Sequence, residues 1–518
     1  MSVQQNSRMS DWIRINASTV PKRPCFVTDT ATYTFGEVNS RVNRLVSVLR
    51  RMGVGKGDRV ALFATDSAQY VETLLACMKL GAVYVPLNFR LAGPELQALL
   101  RTAEAKVLFF SDRYTDLVRG VDVPGLKTTI SYDSHSGDES YESLVDTGDD
   151  VEVDVPMSDD ELVCLAFTSG TTALPKGVMH SQRMAKHMVM QCIVERAMTS
   201  ISFHYSAAPL FHVGGMLYTL SGVARGHTSL VLPAFDAPTV AHWMARGGLD
   251  GVFLVPTMID TLLHEPAVAD PASDFSRLGS IGYGAAPMSP SLLRRAMDRF
   301  QCDFMNMFGA GTEAGLQTVL TPEDHRRALA GDEHLLGSIG KAGMGVVLRL
   351  CDPENDTELV DVPDGEVGEI VTRADAVMSG YLGQPEETAK VLVDGWFRGG
   401  DLAWRDKEGY LYLNGRKKDM IIRGGENIYP VEIEHVLGGY PGVREVAVVG
   451  VPDEHWGEIV RAHVILEDGA ALDVDEVRAW CRARLAGYKV PARFSLEADF
   501  PRNASGKVLK RELRDRAG

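Results

Sequence analysis

Seven cysteines stand singly along the 518 residues, and no Cys-x-x-Cys pair occurs among them. An odd number without metal-ligand spacing gives neither a disulfide framework nor a zinc site, and a reducing, cytoplasmic setting suits it. The opening Met1-Ser2-Val3-Gln4-Gln5-Asn6 lacks the basic start and apolar core of a signal peptide. The longest apolar stretch, Ala207 to Ala224, is broken by Pro209, His212 and Gly214-Gly215, so no membrane span is expected. Positive charge is also short: 53 basic against 69 acidic side chains leave a net charge of −16. The basic clusters are brief, as in Arg416-Lys417-Lys418, which makes nucleic acid a poor partner. No tandem repeat or low-complexity tract stands out.

What is present is ordinary globular material, 45% hydrophobic and 24% charged, enough for several domains at about 100–200 residues each. Val38, Val42, Leu45, Val46, Leu49 and Met52 recur at spacings of three and four, which predicts a helix from Phe35 to Met52. Gly53 to Asp58 breaks it, and Val60 to Phe63 reads as a buried strand. The same alternation follows: helix Tyr70 to Leu80, strand Ala82 to Pro86, helix Pro94 to Ala103, strand Lys106 to Phe110. Such a rhythm implies an α/β fold with parallel sheets covered by helices on both faces. From about 337 to 413 short alternating segments predict a small β-rich, barrel-like subdomain. The expected division is a large N-terminal domain over 1–415 and a small α/β domain over 416–518, with strands near 446–450 and 462–466 and a helix near 474–486.

The strongest local signal is Thr168-Ser169-Gly170-Thr171-Thr172-Ala173-Leu174-Pro175-Lys176-Gly177, directly after the apolar run Leu162 to Phe167. Hydroxyls, glycines and a lysine after a strand can wrap phosphate oxygens with backbone N–H groups while Lys176 adds charge. It is not a Walker loop, because Gly-Lys-Ser/Thr is absent.

This segment resembles the phosphate loop of the adenylate-forming superfamily: acyl-CoA synthetases, luciferases and peptide-synthetase adenylation domains, with the acyl-CoA synthetases nearest. Further segments match in order. Ala208 to Gly215 resembles the acyl-pocket motif, Gly284-Ala285-Ala286-Pro287 the nucleotide-side loop, and Phe308-Gly309-Ala310-Gly311-Thr312-Glu313 the segment ending in Thr-Glu. Trp396 to Asp401 carries the ribose aspartate, Gly415 to Glu434 the hinge and glycine loop, and Pro501 to Lys507 the late lysine. The match runs from Tyr33 to Leu509.

The resemblance implies ATP, Mg²⁺ and coenzyme A as cofactors or co-substrates, a carboxylic acid as the small-molecule partner, and a C-terminal domain that turns about Lys418 between two half-reactions. ATP would meet Thr168, Ser169, Gly170, Thr171, Thr172, Lys176, Gly284, Ala285, Ala286, Phe308, Gly309, Thr312, Asp401 and Arg416. The acyl group would meet His212, Val213, Gly214 and Gly311, and the thiol would pass Gly424, Gly425 and Glu426. Elementary chemistry supports the assignment. A carboxylate attacking the α-phosphate brings two anions together, and Lys507, Lys176 and Mg²⁺ held by Glu313 would spread that charge. His212 among apolar neighbours is either a neutral pocket residue near the reacting carboxylate, counted as catalytic with Lys507 and Glu313, or a satisfied core histidine.

Three departures stand out. Ala173 occupies a usual glycine position, Gly399 a usual threonine, and the extra residue before Thr312 puts Gly309 where a tyrosine is expected, so the ring on adenine is Phe308 or none. The expectation is an ATP-dependent acid–CoA ligase for a medium- or long-chain, aromatic or alicyclic acid. The alternatives are an enzyme that loads a carrier protein and a non-catalytic nucleotide-binding homologue. An amino-acid-activating domain would place aspartate where His212 stands, and a nucleotide sensor would be expected to lose Lys507 or Glu313. A homodimer is left open. Lys507→Ala is expected to cut adenylate formation about a hundredfold while sparing thioester formation from supplied acyl-adenylate. Separate assays of the two half-reactions on one preparation check this, and equal loss in both would refute it.

Overall fold

A computed structural model gives the fold and describes residues 8–134, 136–168, 175–196, 203–286, 288–355, 357–424, 426–467, 469–502 and 508–516. The helix Phe35–Arg51 shows how local chemistry sets an element. Thr34 accepts the Glu37 N–H at 3.3 Å while Glu37 accepts the Thr34 N–H at 2.8 Å, closing a capping box. Val38, Val42, Leu45, Val46 and Leu49 form its buried face, and Gly53 ends the turn with φ +77. The predicted alternation follows as Arg59–Phe63, Ala68–Leu80, Val83–Pro86, Gly93–Ala103 and Ala105–Phe110.

Among the described residues the strands form sheets of nine, seven, five and five. The first sheet has a parallel heart, Pro24–Val27, Thr228–Leu230, Phe203–Ser206, Gly251–Leu254, Ser280–Gly284 and Asp303–Phe308, bounded by antiparallel strands at both sides. The second is parallel until its last pair, where Leu162–Thr168 and Lys176–Ser181 run antiparallel. Helices covering both large sheets explain their nearly unbroken apolar strands. The third sheet, from Val347–Cys351 to Leu411–Arg416, is antiparallel, as the barrel-like subdomain requires.

The last sheet, Ile421–Arg423 to Arg493–Leu496, belongs to the smaller C-terminal unit. One of its faces packs Ile433 and Leu437 of Pro430–Gly438 and Val477 and Cys481 of Val474–Arg482. The other face packs Leu513 of the terminal helix Lys510–Asp515. Helix Pro430–Gly438 faces the strand Leu411–Arg416, with Val431 beside Gly415, and Asn427 reaches Glu354 at 3.3 Å. The chain is thus a mixed α/β protein with a large N-terminal part and a smaller C-terminal one. All seven cysteines are free, and no helix among the described residues is long and apolar enough to cross a membrane.

The loops that matter leave the C-terminal ends of parallel strands, where such sheets bind ligands. Residues 207–212 follow Phe203–Ser206, residues 285–286 follow Ser280–Gly284, and residues 309–313 follow Asp303–Phe308. In the third sheet the stretch 398–401 is fixed from beneath by a buried carboxylate. Glu369 accepts Arg398 Nε at 3.0 Å and the Gly400 N–H at 3.0 Å, and both charged side chains are 5% exposed. Glu369→Ala strands the Arg398 guanidinium and is expected to cost about 3–5 kcal/mol. Urea unfolding followed by tryptophan fluorescence checks the figure, with a midpoint matching the parent refuting it.

Candidate functional site

The hairpin Leu162–Thr168 and Lys176–Ser181 sets Thr168 across from Lys176, so the phosphate-loop stretch is a connection between antiparallel strands. Ser169, Gly170, Thr171 and Thr172 lie outside the described residues, as do Gly425 and Lys507. Lys176 itself is visible: its Nζ is 2.6 Å from Glu387 Oε2 and 4.8 Å from the centre of the Tyr381 ring. Tyr381 turns its hydroxyl to Glu313, linking the lysine's surroundings to the expected metal carboxylate.

Glu313 stands on the short helix Gly311–Ala314. Burial pushes its carboxyl up to about 7, against the pull of the nearby Arg416 charge and the Tyr381 hydrogen bond. Asp401 and Arg416 are cross-strand partners, joined by Arg416 Nε to Asp401 Oδ1 at 2.7 Å. Both charges are felt at Glu313, and both are felt again at Lys418, whose ammonium burial disfavours. Glu313, Tyr381, Asp401, Arg416 and Lys418 therefore form one neighbourhood drawn from distant stretches of sequence. Asp401 and Arg416 answer each other directly here.

Two glycines in this region are fixed by lack of space. A Cβ on Gly284 would lie 2.3 Å from the Met307 carbonyl oxygen, and one on Gly309 would lie 2.1 Å from that of Gly315. No ring fits at Gly309. The Phe308 ring is partly buried against a cluster that includes Ile339, Leu350 and Ile370. Around Gly311, φ +35, the space is open. Ala285 holds φ +65, a left-handed conformation that costs an alanine about a kilocalorie per mole or more and gathers at functional loops.

His212 caps the helix Val213–Arg225: its Nδ1 accepts the Gly214 N–H at 3.1 Å, and burial lowers its pKa, so the ring is neutral with its proton on Nε2. Gly215 has no room for a side chain, its Cβ falling 2.2 Å from the Ala208 carbonyl oxygen. Beyond Val213 and Gly214 an apolar cluster of Ala208, Tyr218 and Phe253 is joined by Cys192 and Met307. Buried Arg196 lies over the Tyr218 ring at 3.4 Å. In the C-terminal unit Gly424, φ +59, donates its N–H to the Trp456 carbonyl at 2.8 Å, and a Cβ there would meet the indole at 2.8 Å. Glu426 is the exposed first residue of the strand Glu426–Ile428.

Sequence reasoning missed Tyr381, Glu387 and His180. His180 is fully buried, and its Nε2 donates to the Thr312 carbonyl at 2.7 Å, tying the Thr-Glu segment to the phosphate-loop hairpin. The alternation of a strand offered a signal, since Lys176, Val178 and His180 share one face. No comparable signal marks Tyr381 or Glu387.

The AMP-binding enzyme model matches residues 13–382 and the AMP-binding enzyme C-terminal domain model matches 432–507. The chain belongs to the AMP-binding enzyme family. Membership turns the resemblance to the adenylate-forming superfamily into fact. A feruloyl-CoA synthase from Amycolatopsis sp is 38% identical over 94% of this chain and 94% of its own. The fatty acid acyl-carrier-protein ligase ScoC of Streptomyces coeruleorubidus is 34% identical over 96% and 94%. ATP-bound MatB from Rhodopseudomonas palustris superposes with a TM-score of 0.88 at 28% identity, covering 98% of both chains.

Burial drives the pKa of His180 from 6.5 down to about 4. A site that is neutral when folded and protonated when unfolded supplies stability above pH 6.5 that is lost as pH falls toward 4. For His180 this is worth up to about 3 kcal/mol. His180→Gln is expected to flatten the fall in unfolding free energy between pH 6.5 and 4, measured by urea titration at several pH values, and an unchanged slope would refute it.

Proposed function

We propose that this AMP-binding family enzyme is an ATP-dependent acid–thiol ligase. A carboxylate attacks the α-phosphate of ATP, giving acyl-adenylate and pyrophosphate, and the thiol of coenzyme A then displaces AMP to give acyl-CoA. The observation that carries the reading is the single neighbourhood of Glu313, Tyr381, Asp401 and Arg416, with Lys176 over the ring of the same tyrosine.

Each group has a task in that reading. Lys176 takes phosphate charge, and the Asp401–Arg416 pair meets the ribose, where a carboxylate can accept hydroxyl hydrogens and a guanidinium can donate. Glu313 suits Mg²⁺: it is a hard oxygen donor, buried, with the Tyr381 hydroxyl beside it. Bound there with the triphosphate, Mg²⁺ would supply the charge that lets a second anion approach. His212, with Nδ1 engaged, presents an N–H at Nε2 toward the acyl side, while Ser169 to Thr172 and Lys507 complete the phosphate contacts. Turning about Lys418 would bring Gly424, Gly425 and Glu426 to the thiol step.

The open space at Gly311 and the aromatic and aliphatic cluster of Tyr218, Phe253 and Met307 favour a bulky acid, aromatic, alicyclic or of medium to long chain. The feruloyl-CoA synthase relative supports the aromatic end of that range. Loading of a carrier-protein thiol is the second reading, favoured by the likeness to ScoC.

Pyrophosphate release is expected with at least one aromatic or long-chain acid, in a single turnover without CoA and repeatedly with it. A screen of short, long-chain, aromatic and alicyclic acids, each with CoA, carrier protein or neither, decides the acyl group and the thiol. Pyrophosphate release from none of them would overturn the reading.

A further inference from the structure

Lys176 opens its strand at the end of the phosphate-loop stretch, yet its ammonium is already engaged, 2.6 Å from Glu387 Oε2. Glu387 stands on the helix Pro385–Val391, and its other oxygen receives Lys390 Nζ. One carboxylate thus serves two ammonium groups. The bond from Lys176, then that from Lys390, holds its carboxyl down to about 2, so it is charged at any working pH.

This is no chance meeting of two long side chains, because the segment carrying Glu387 is fastened to the strand of Lys176. Met179 donates its N–H to the Gly380 carbonyl at 3.0 Å, Leu382 donates to Gly177 at 2.8 Å, and Val178 and Tyr381 form a bridge between them. Thr388, one residue past Glu387, accepts the Tyr381 N–H at 2.9 Å. The main chains that carry the carboxylate and the lysine are therefore held side by side.

We propose that Glu387 is a built-in counter-ion that holds Lys176 when no phosphate is present, yields it to the phosphates of ATP, and takes it back as pyrophosphate leaves. The proposal rests on reading Lys176 as a phosphate ligand. Glu387 then tunes affinity for ATP and pyrophosphate without touching either. Exchange is easy, because Lys390 stays on Glu387 when Lys176 departs and no carboxylate is left bare. Since only the released lysine can bind phosphate, apparent affinity falls by the fraction of time that it is free.

The test uses the full chain, with Michaelis constants for ATP and inhibition constants for inorganic pyrophosphate, on variants whose thermal unfolding matches the parent. Glu387→Gln is expected to lower both constants about twofold to fivefold. Lys390→Met is expected to raise both, because Glu387 then grips Lys176 alone, and to have no effect once Glu387 is Gln. Glu386→Gln removes the same charge from an exposed neighbour on the same helix and is expected to leave both constants unchanged. Equal shifts in the Glu386 and Glu387 variants, or no shift in the latter, would overturn the proposal. Lys176→Met separates the two readings. Weakened ATP binding there with an inert Glu387→Gln sinks the counter-ion alone, whereas unaltered ATP binding removes the phosphate role of Lys176 and the proposal with it.

Discussion

A carboxylate withdrawn from water must be surrounded by donors or cations, and the placing of Glu313 imposes that condition on much of the molecule. Its short helix hangs from the end of a parallel strand in the first sheet. The hydroxyl that meets it comes from a segment bound to the edge of the second sheet, and the charges that act on it come from two strands of the third. Three sheets built from separate stretches of chain converge on one oxygen pair. Burial alone would favour the protonated form, and Arg416 and Tyr381 work against that. The large N-terminal part can be seen as the scaffold that keeps these opposing influences at fixed distances.

Much of the fold was legible because its elements carry strong periodicity. The stripe from Val38 to Leu49 and the run from Val60 to Phe63 became the helix and strand that they predict, to within a residue or so at most ends. The helix expected over 474–486 ends at Arg482, four residues early, where no Gly or Pro marks a stop. The AMP-binding family was legible through ordered motifs. What could not be read was anything depending on two distant segments meeting. Asp401 and Arg416 were each singled out, but their direct pairing follows from sheet register. Tyr381 and Glu387 have no local pattern, and their importance arises only when their segment is laid against Lys176. The extra residue before Thr312 shows a related limit: counting along the chain placed Gly309 at a ring position, whereas the close approach of Gly315 decides that no side chain fits.

The C-terminal unit obeys a different logic. It has its own sheet with apolar faces covered by its own helices, and it meets the remainder through contacts such as Asn427 with Glu354 and Val431 with Gly415. Near its end Arg502 and Val508 bridge, and Leu509 donates to the Pro501 carbonyl at 2.7 Å. Independent packing of this kind is what the proposed turning about Lys418 would need.

The strand Lys176–Ser181 lies at the outer margin of the seven-stranded sheet. A margin of that kind exposes a ladder of backbone donors and acceptors to any other extended chain, and proteins commonly guard against it. Here Gly380, Tyr381 and Leu382 occupy that ladder. The segment that orients the lysine's surroundings thus also seals the sheet against self-association. Loosening it would be felt in the test tube as turbidity as well as lost turnover, so solubility and catalysis are bound into one short stretch of main chain.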